Sequence, residues 1–264
     1  MKKILIGIFC TLMIVIILVS FFMNGKKENT NENILVIGLD DSFPPMGFRN
    51  ENNEIVGFDI DVAKAVCKKL GMEMKLQQIS WASKEQELNS GNIDCIWNGF
   101  AYTEERAETM TLTENYIKGE NYFILKNKDK IQNQDDLKGK KIGVQTGSNQ
   151  QLDLEKSEFG KNVEIIQYSD NLTAFMDLET GRVDAIFCSS IIGNYLIESK
   201  GKNYETIKSE NISKSNGSVV AFKKGNIELR DKIQNALYEL NEDGTLKEIS
   251  EKWFGEDMIT VGEK

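Results

Sequence analysis

The 264-residue chain contains no histidine. That excludes catalytic Ser-His-Asp and Cys-His arrangements and every metal site built on imidazole. Proline is almost absent too: there are two, adjacent, at Pro44-Pro45. None of the 4 cysteines forms a Cys-x-x-Cys pair, so redox and zinc readings fail. Cys67, Cys95 and Cys188 each sit in an apolar stretch and read as small buried hydrophobes. Ser148 and Ser189 have no lysine three residues on, so a Ser-Lys nucleophile is missing. Asp40-Asp41 and the pair Asp59 and Asp61 lack the spacing of a calcium loop. Asp59 and Asp61 read as first-turn acids of a helix. Positive charge is in deficit, 32 Lys+Arg against 41 Asp+Glu, a net −9. An acidic surface repels phosphate backbones, so no nucleic-acid partner is expected. No metal, cofactor or enzymatic activity is expected either.

What is present is a chain able to build a core, 40% hydrophobic and 28% charged. Lys2 and Lys3 precede an uncharged run over residues 4–23. That run is long enough to cross a bilayer and lacks an Ala-x-Ala cleavage pattern. It is expected to act as an export signal, kept as a membrane anchor or cleaved near residues 20–25. Cys10 lies inside the run behind Phe9, a poor setting for lipidation. Residues 25–32 are polar and aperiodic, as in a stalk. The remainder is therefore expected outside the cytoplasm, at the cell surface or in a periplasm.

Beyond the stalk, strand and helix patterns alternate. Residues 34–38 read as a buried strand. Residues 58–70 carry helical apolar spacing closed by Gly71. Residues 72–79, 93–97, 122–125, 141–144, 163–168 and 183–188 are further short strand candidates. This rhythm predicts an α/β protein with mixed, mainly parallel sheets. Two segments are alike: Leu88, Gly91, Asp94 and Ile96 recur as Leu178, Gly181, Asp184 and Ile186 at the same spacing. Each reads as helix end, glycine, strand, which favours two lobes of similar build. Sites in such folds form beyond the carboxyl ends of strands and between domains. That selects residues 40–46, 98–106, 146–149 and 189–190.

Within these loops, Asp40, Phe43 and Met46 accompany the stiff proline pair. Thr103 reads as a helix N-cap that puts Arg106 in the first turn. A cation there opposes the helix dipole. Either an anionic ligand or a surface pairing with Glu104, Glu105 or Glu108 would account for it. Residues 141–149 read as strand, glycine turn and helix start, an anion-friendly geometry that lacks the Gly-Lys-Ser/Thr of a nucleotide loop.

These residues together resemble the extracellular solute-binding proteins of polar amino acid ABC transporters, the type II periplasmic binding proteins. The marks run in order: Gly38-x-Asp40-x-x-Phe43-x-Pro45, Gly57-Phe58-Asp59-Ile60-Asp61, Gly91-x-Ile93-Asp94, Thr103-x-x-Arg106, Leu137-Lys138-Gly139-Lys140-x-Ile142-Gly143-Val144, Gly147-Ser148, Gly181-x-Val183-Asp184, Asp243-Gly244-Thr245-Leu246 and Lys252-Trp253-Phe254-Gly255. The resemblance implies two lobes joined by a two-strand hinge, one of residues 33–118 plus 219–264 and the other of 119–218, with 1–32 as signal and stalk. It implies a binding module, a monomer, that closes on a small polar solute and delivers it to permease subunits. The alternatives are an anchored sensor of the same fold, or a binder of a carboxylate that is not a standard α-amino acid. It places the carboxylate clamp on Arg106 of the Thr103 motif, with help from Ser148 and Asn149. Phe43 and Trp81 would sandwich the ligand, Asn98 and Gly99 lie against it, and Asp40 reads its polar side. Two departures stand out. Ser189 occupies a position where many relatives use an aspartate for the ligand's ammonium. Ala101 replaces a frequent Ser or Thr. With Arg106 as anchor and no histidine, recognition is expected to vary little with pH near neutrality.

Overall fold

Buried runs at the expected places become strands, and the sheets they form arrange the candidate loops. The computed structural model describes residues 33–126, 131–201, 203–212 and 217–263. The expected membrane-crossing run, Cys10 and the stalk lie outside the described residues. No helix among the described residues is long and apolar enough to cross a membrane. Residues 35–264 form one unit, and the architecture below belongs to it.

The described strands are β1 (Ile34–Leu39), β2 (Ser42–Phe43), β3 (Gly47–Arg49), β4 (Ile55–Val56), β5 (Glu73–Gln78), β6 (Cys95–Ile96), β7 (Met110–Leu112), β8 (Asn121–Lys126), β9 (Lys141–Gln145), β10 (Glu164–Tyr168), β11 (Ala185–Ser189), β12 (Tyr204–Lys208) and β13 (Ala221–Lys223). The helices are α1 (Phe58–Leu70), α2 (Lys84–Ser90), α3 (Glu104–Thr109), α4 (Asn149–Lys156), α5 (Asn171–Thr180), α6 (Ser190–Lys200), α7 (Ile227–Glu242) and α8 (Thr245–Phe254). One sheet has the order β5-β1-β6-β13-β7 and another β10-β9-β11-β8-β12, with a small ribbon β2-β3-β4. Parallel ladders join β1 to β6, β9 to β10 and β9 to β11. Antiparallel ladders join β8 to β11 and β12, and β13 to β6 and β7. The strands that enter from the other sheet, β8 and β13, are the ones that run against their neighbours. Each sheet thus forms the middle of one lobe.

Strands buried on both faces carry unbroken apolar runs, because helices cover both sides. In β8, Phe123 and Leu125 join one core cluster while Tyr122 and Ile124 join another on the opposite face. In the first sheet, Leu35, Ile37 and Phe222 pack with α1 and α7, while Ile96 and Ala221 pack with Trp81, Leu88 and Phe100. Cys67, Cys95 and Cys188 are free and buried in these clusters, as their apolar settings predict.

The repeated segment acquires a physical meaning. Gly91 and Gly181 take left-handed φ of 78° and 76° as C-caps of α2 and α5, a conformation that favours glycine. Three residues later an aspartate accepts from the neighbouring strand: Asp94 Oδ2 from the Val36 N–H at 2.7 Å, and Asp184 Oδ2 from the Lys141 N–H at 2.8 Å. Their own amides return bonds to the carbonyls of the same two residues. Each aspartate therefore sets the register of a parallel strand pair, once per lobe.

The chain passes between the sheets twice, after β7 and after β12. The passages meet at Ile117 and Ser218, which form an isolated bridge, and Ile117 also bridges Ile259. This pairing is the two-strand hinge.

Candidate functional site

Strand ends and helix starts from both lobes converge on a cavity with about 570 Å³ of empty space, counting its open mouth. Of the residues singled out above, Asp40, Phe43, Trp81, Asn98, Gly99, Ala101, Arg106, Ser148, Asn149 and Ser189 all line it. Thr103 does not. Its hydroxyl caps α3 by accepting the Arg106 N–H at 3.1 Å, so it positions Arg106 instead of facing the cavity.

Arg106 is 6% exposed. Its guanidinium lies over the Phe100 ring, 3.9 Å from the centroid, and Nη1 donates to the Ala101 carbonyl at 2.6 Å. Ala101 thus contributes its carbonyl as well as its place on the wall. No carboxylate among the described residues lies within ion-pair distance of Arg106. Of the expected surface pairings, Glu105 turns away to Lys156 at 2.9 Å. Burial lowers the guanidinium's pKa to about 10, with Glu85, Asp153 and Glu105 acting against the shift from further off. It stays charged at neutral pH, a buried cation without an anion within ion-pair distance among the described residues. Such a charge is costly unless an anion completes it.

The opposite wall comes from the turn before α4. Ser148 spends its hydroxyl on capping: it accepts the Gln151 N–H at 3.1 Å and donates to the Gln145 carbonyl at 2.7 Å. Its neighbour Asn149 is buried, and its Nδ2 has no hydrogen-bond partner. Asn149 also borders Arg106 on the far side of the wall. The first-turn amides of α4 lack intrahelical acceptors by construction. Ser189 caps α6 by accepting the Ile191 N–H at 3.3 Å, so its hydroxyl is already in use as an acceptor.

Phe43 packs against core clusters of both lobes. Its ring lies on Gly99, where a Cβ would stand 2.7 Å from Cε1. Trp81 meets Phe100 edge-on at 6.0 Å. Asp40 is buried, and its Oδ1 accepts the Ser42 N–H at 2.9 Å. Its Oδ2 accepts from Gln145 Nε2 in the other lobe at 2.6 Å. Burial raises its pKa.

Sequence reasoning missed several cavity residues: Gly119, Asn121, Gln145, Gln150, Asn171 and Ser218. Asn121, Gln145 and Gln150 sit in or beside strand and helix patterns that were read for periodicity alone, and a lone amide carries no motif. Asn171 joins through Gln145, donating from Nδ2 to Oε1 at 2.9 Å. Asp59 and Asp61 both stand in the first turn of α1, as expected, and the structure gives Asp59 a further part. Asp61 does behave as a first-turn acid, meeting Lys252 and Trp253. Asp59 is wholly buried: its Oδ2 accepts the Gly99 N–H and its Oδ1 the Tyr116 hydroxyl, both at 2.7 Å. It holds the cavity's strand end from behind.

The lobes touch directly around the cavity. Besides Gln145 to Asp40, Lys84 Nζ donates to the Gly147 carbonyl at 2.7 Å. Gly147 has φ +75°, and a Cβ there would lie 2.8 Å from Ala82 Cα across the cleft. Gly147→Ala should therefore hinder closure as well as strain the turn by about 1–2 kcal/mol. We expect a loss of ligand affinity of roughly tenfold or more, read by calorimetry, with most of it in the dissociation rate. Unchanged affinity would mean the lobes need not approach this closely.

With this geometry in view, comparison with known proteins is informative. Residues 35–256 match the family described as bacterial extracellular solute-binding proteins, family 3. The L-cystine-binding protein TcyJ of Escherichia coli (strain K12) is 33% identical over 238 residues, covering 89% of this chain and 87% of that protein. A substrate-binding protein of an ABC uptake transporter from Streptococcus pneumoniae, solved with bound histidine, superposes with TM-score 0.83 at 35% identity, covering 86% of this chain and 95% of that one. Tv2483, solved bound to L-arginine, also gives TM-score 0.83, at 33% identity over 88% of this chain and 95% of that one.

Proposed function

The chain belongs to the bacterial extracellular solute-binding proteins, family 3, and from that premise we propose that it captures an amino acid between its lobes and presents it to the permease of an ABC uptake system. The observation that carries this reading is Arg106, a buried cation with no anion within ion-pair distance among the described residues, facing a cavity walled by both lobes. Arg106 and the first turn of α4 receive the ligand carboxylate, with Asn149 Nδ2 as a further donor. Phe43 and Trp81 flank the ligand, and the Asn98-Gly99 strand end lies against it. Lobe 1 is residues 33–118 plus 219–264 and lobe 2 is 119–218, a division supported by sheet membership. Ligand contacts with both lobes favour the closed state, and closure strengthens the Arg106 ion pair by excluding water. The protein is a monomer on the outer side of the membrane, exported by the run over residues 4–23, which is kept as an anchor or cleaved.

A binder fits this cavity better than an enzyme. Asp40 and Arg106 are the ionisable side chains on its wall, and the Ser148 and Ser189 hydroxyls there are engaged as helix caps.

The test is a thermal-shift screen of the purified protein against the standard amino acids, their derivatives and small carboxylates. One or a few amino acids should raise Tm by at least about 5 °C, because saturating ligand stabilises the state that binds it. A flat response to every standard amino acid would overturn the reading and turn attention to other carboxylates.

A further inference from the structure

The charges around the cavity say more about the ligand, provided that it is an amino acid as proposed above. Asp40, the acid on the wall, is already engaged. Its Oδ1 takes the Ser42 N–H, and its Oδ2 takes Gln145 Nε2 at 2.6 Å from the other lobe. Gln145 is in turn held by Asn171. A ligand cation would share Asp40 with this chain.

Positive charge is more plentiful. Lys84, at the start of α2, is 3% exposed. Its Nζ donates to the carbonyls of Trp81 at 3.1 Å and Gly147 at 2.7 Å, so it joins the two lobes behind the Trp81 wall of the cavity. It stands over the Trp81 indole, 5.2 Å from the centroid. No carboxylate among the described residues lies within ion-pair distance of it. Burial and then the repulsion of Arg106 lower its pKa to about 8, with Glu85 opposing from further off. At neutral pH it is mostly charged, so a second buried cation stands near Arg106, behind the cavity wall.

The amino acid backbone itself brings one charge of each sign, and Arg106 meets the negative one. A cationic side chain would add a positive charge with Asp40 already bonded and Lys84 nearby. The rest of the wall offers amides, including Gln150, which donates to Asn121 at 2.7 Å. Amides both donate and accept without a charge of their own, and so suit an uncharged polar group.

We infer that the site takes polar amino acids whose side chains carry no positive charge, and that Lys84 is a specificity-determining residue that helps reject cationic ones.

Calorimetry on the full chain tests this with glutamine, asparagine, glutamate and cystine against arginine, lysine and ornithine. At least one of the first group should bind at least about tenfold more tightly than any of the second, a difference of one decade in Kd. Lys84→Gln should shrink that ratio about tenfold, whatever it does to both affinities through the lost bridge to Gly147. Lys84→Arg, which keeps the charge, should preserve the ratio. Tightest binding by arginine or lysine would overturn the inference. So would an unchanged ratio in a folded Lys84→Gln variant. Failure of every amino acid to bind would instead overturn the amino-acid reading beneath it.

Discussion

Replacing Arg106 with methionine should abolish high-affinity ligand binding, lowering affinity at least about 100-fold, without lowering the Tm of the ligand-free protein. The first half follows from removing one partner of a buried, charge-assisted pair, which typically costs about 2–5 kcal/mol. The second half separates recognition from structure. In the free protein Arg106 is a buried cation whose protein bonds are a carbonyl and a ring. Its desolvation is therefore poorly offset. Methionine fills the space over Phe100 and removes the charge. It leaves the Ala101 carbonyl without its donor, which opposes the gain. An ordinary structural arginine would show the reverse, a lower Tm in the free protein and little change in affinity per folded molecule. Arg106→Lys should fall between, because lysine keeps the charge but loses the planar fork and the stacking. Calorimetry and thermal melts with and without ligand read both effects. Affinity within threefold of the original in a folded Arg106→Met variant would remove Arg106 from the site.

Much of this site was legible because its chemistry sits at punctuation in the sequence. Thr103 and Arg106 stand in a capping pattern, Gly147 and Ser148 mark a helix start, and Pro44-Pro45 follow a buried strand. The repeat around Gly91 and Gly181 was legible as two similar lobes. Its aspartates were not, since only the structure shows Asp94 and Asp184 holding adjacent strands in register. The short strands β2 to β4, β7 and β13 were missed because two or three residues are too few to display a period. Gln145, Asn171 and Lys84 were missed for another reason. Amide and lysine side chains are common on surfaces, and burial at a lobe contact leaves no local trace in sequence. Thr103 shows the converse: the motif was right, but its hydroxyl serves Arg106 and not the cavity.

The absence of histidine implied little pH dependence near neutrality, and Asp59 makes stability an exception. Its carboxyl is wholly enclosed, and burial raises its pKa from 3.8 to about 7 against the opposing bonds from Tyr116 and Gly99. In the unfolded chain the same carboxyl ionises near its ordinary value. Between roughly pH 4 and pH 7 the folded protein therefore holds a proton that the unfolded chain has lost. Stability attributable to Asp59 is greatest below that window and falls as pH rises through it, levelling off above about pH 7. Surface acids push the other way: Arg182 lowers the pKa of Asp177, Lys156 that of Glu105 and Lys232 that of Glu228. Those contributions grow only up to the ordinary carboxylate range, are complete by about pH 5, and so offset the slope only at the acid end of the window in the original protein. They cancel in the difference between it and Asp59→Asn. Asparagine can still accept the Gly99 N–H and can donate to the Tyr116 oxygen, so the variant keeps the architecture while losing the titration. Relative to the original protein, Asp59→Asn should gain several degrees of Tm between pH 4.5 and pH 7.5, at about 2–4 °C per kcal/mol for a chain of this size. A difference in Tm that stays constant across that range would show that Asp59 ionises as it does in the unfolded chain, and that its enclosure behind Gly99 is incomplete.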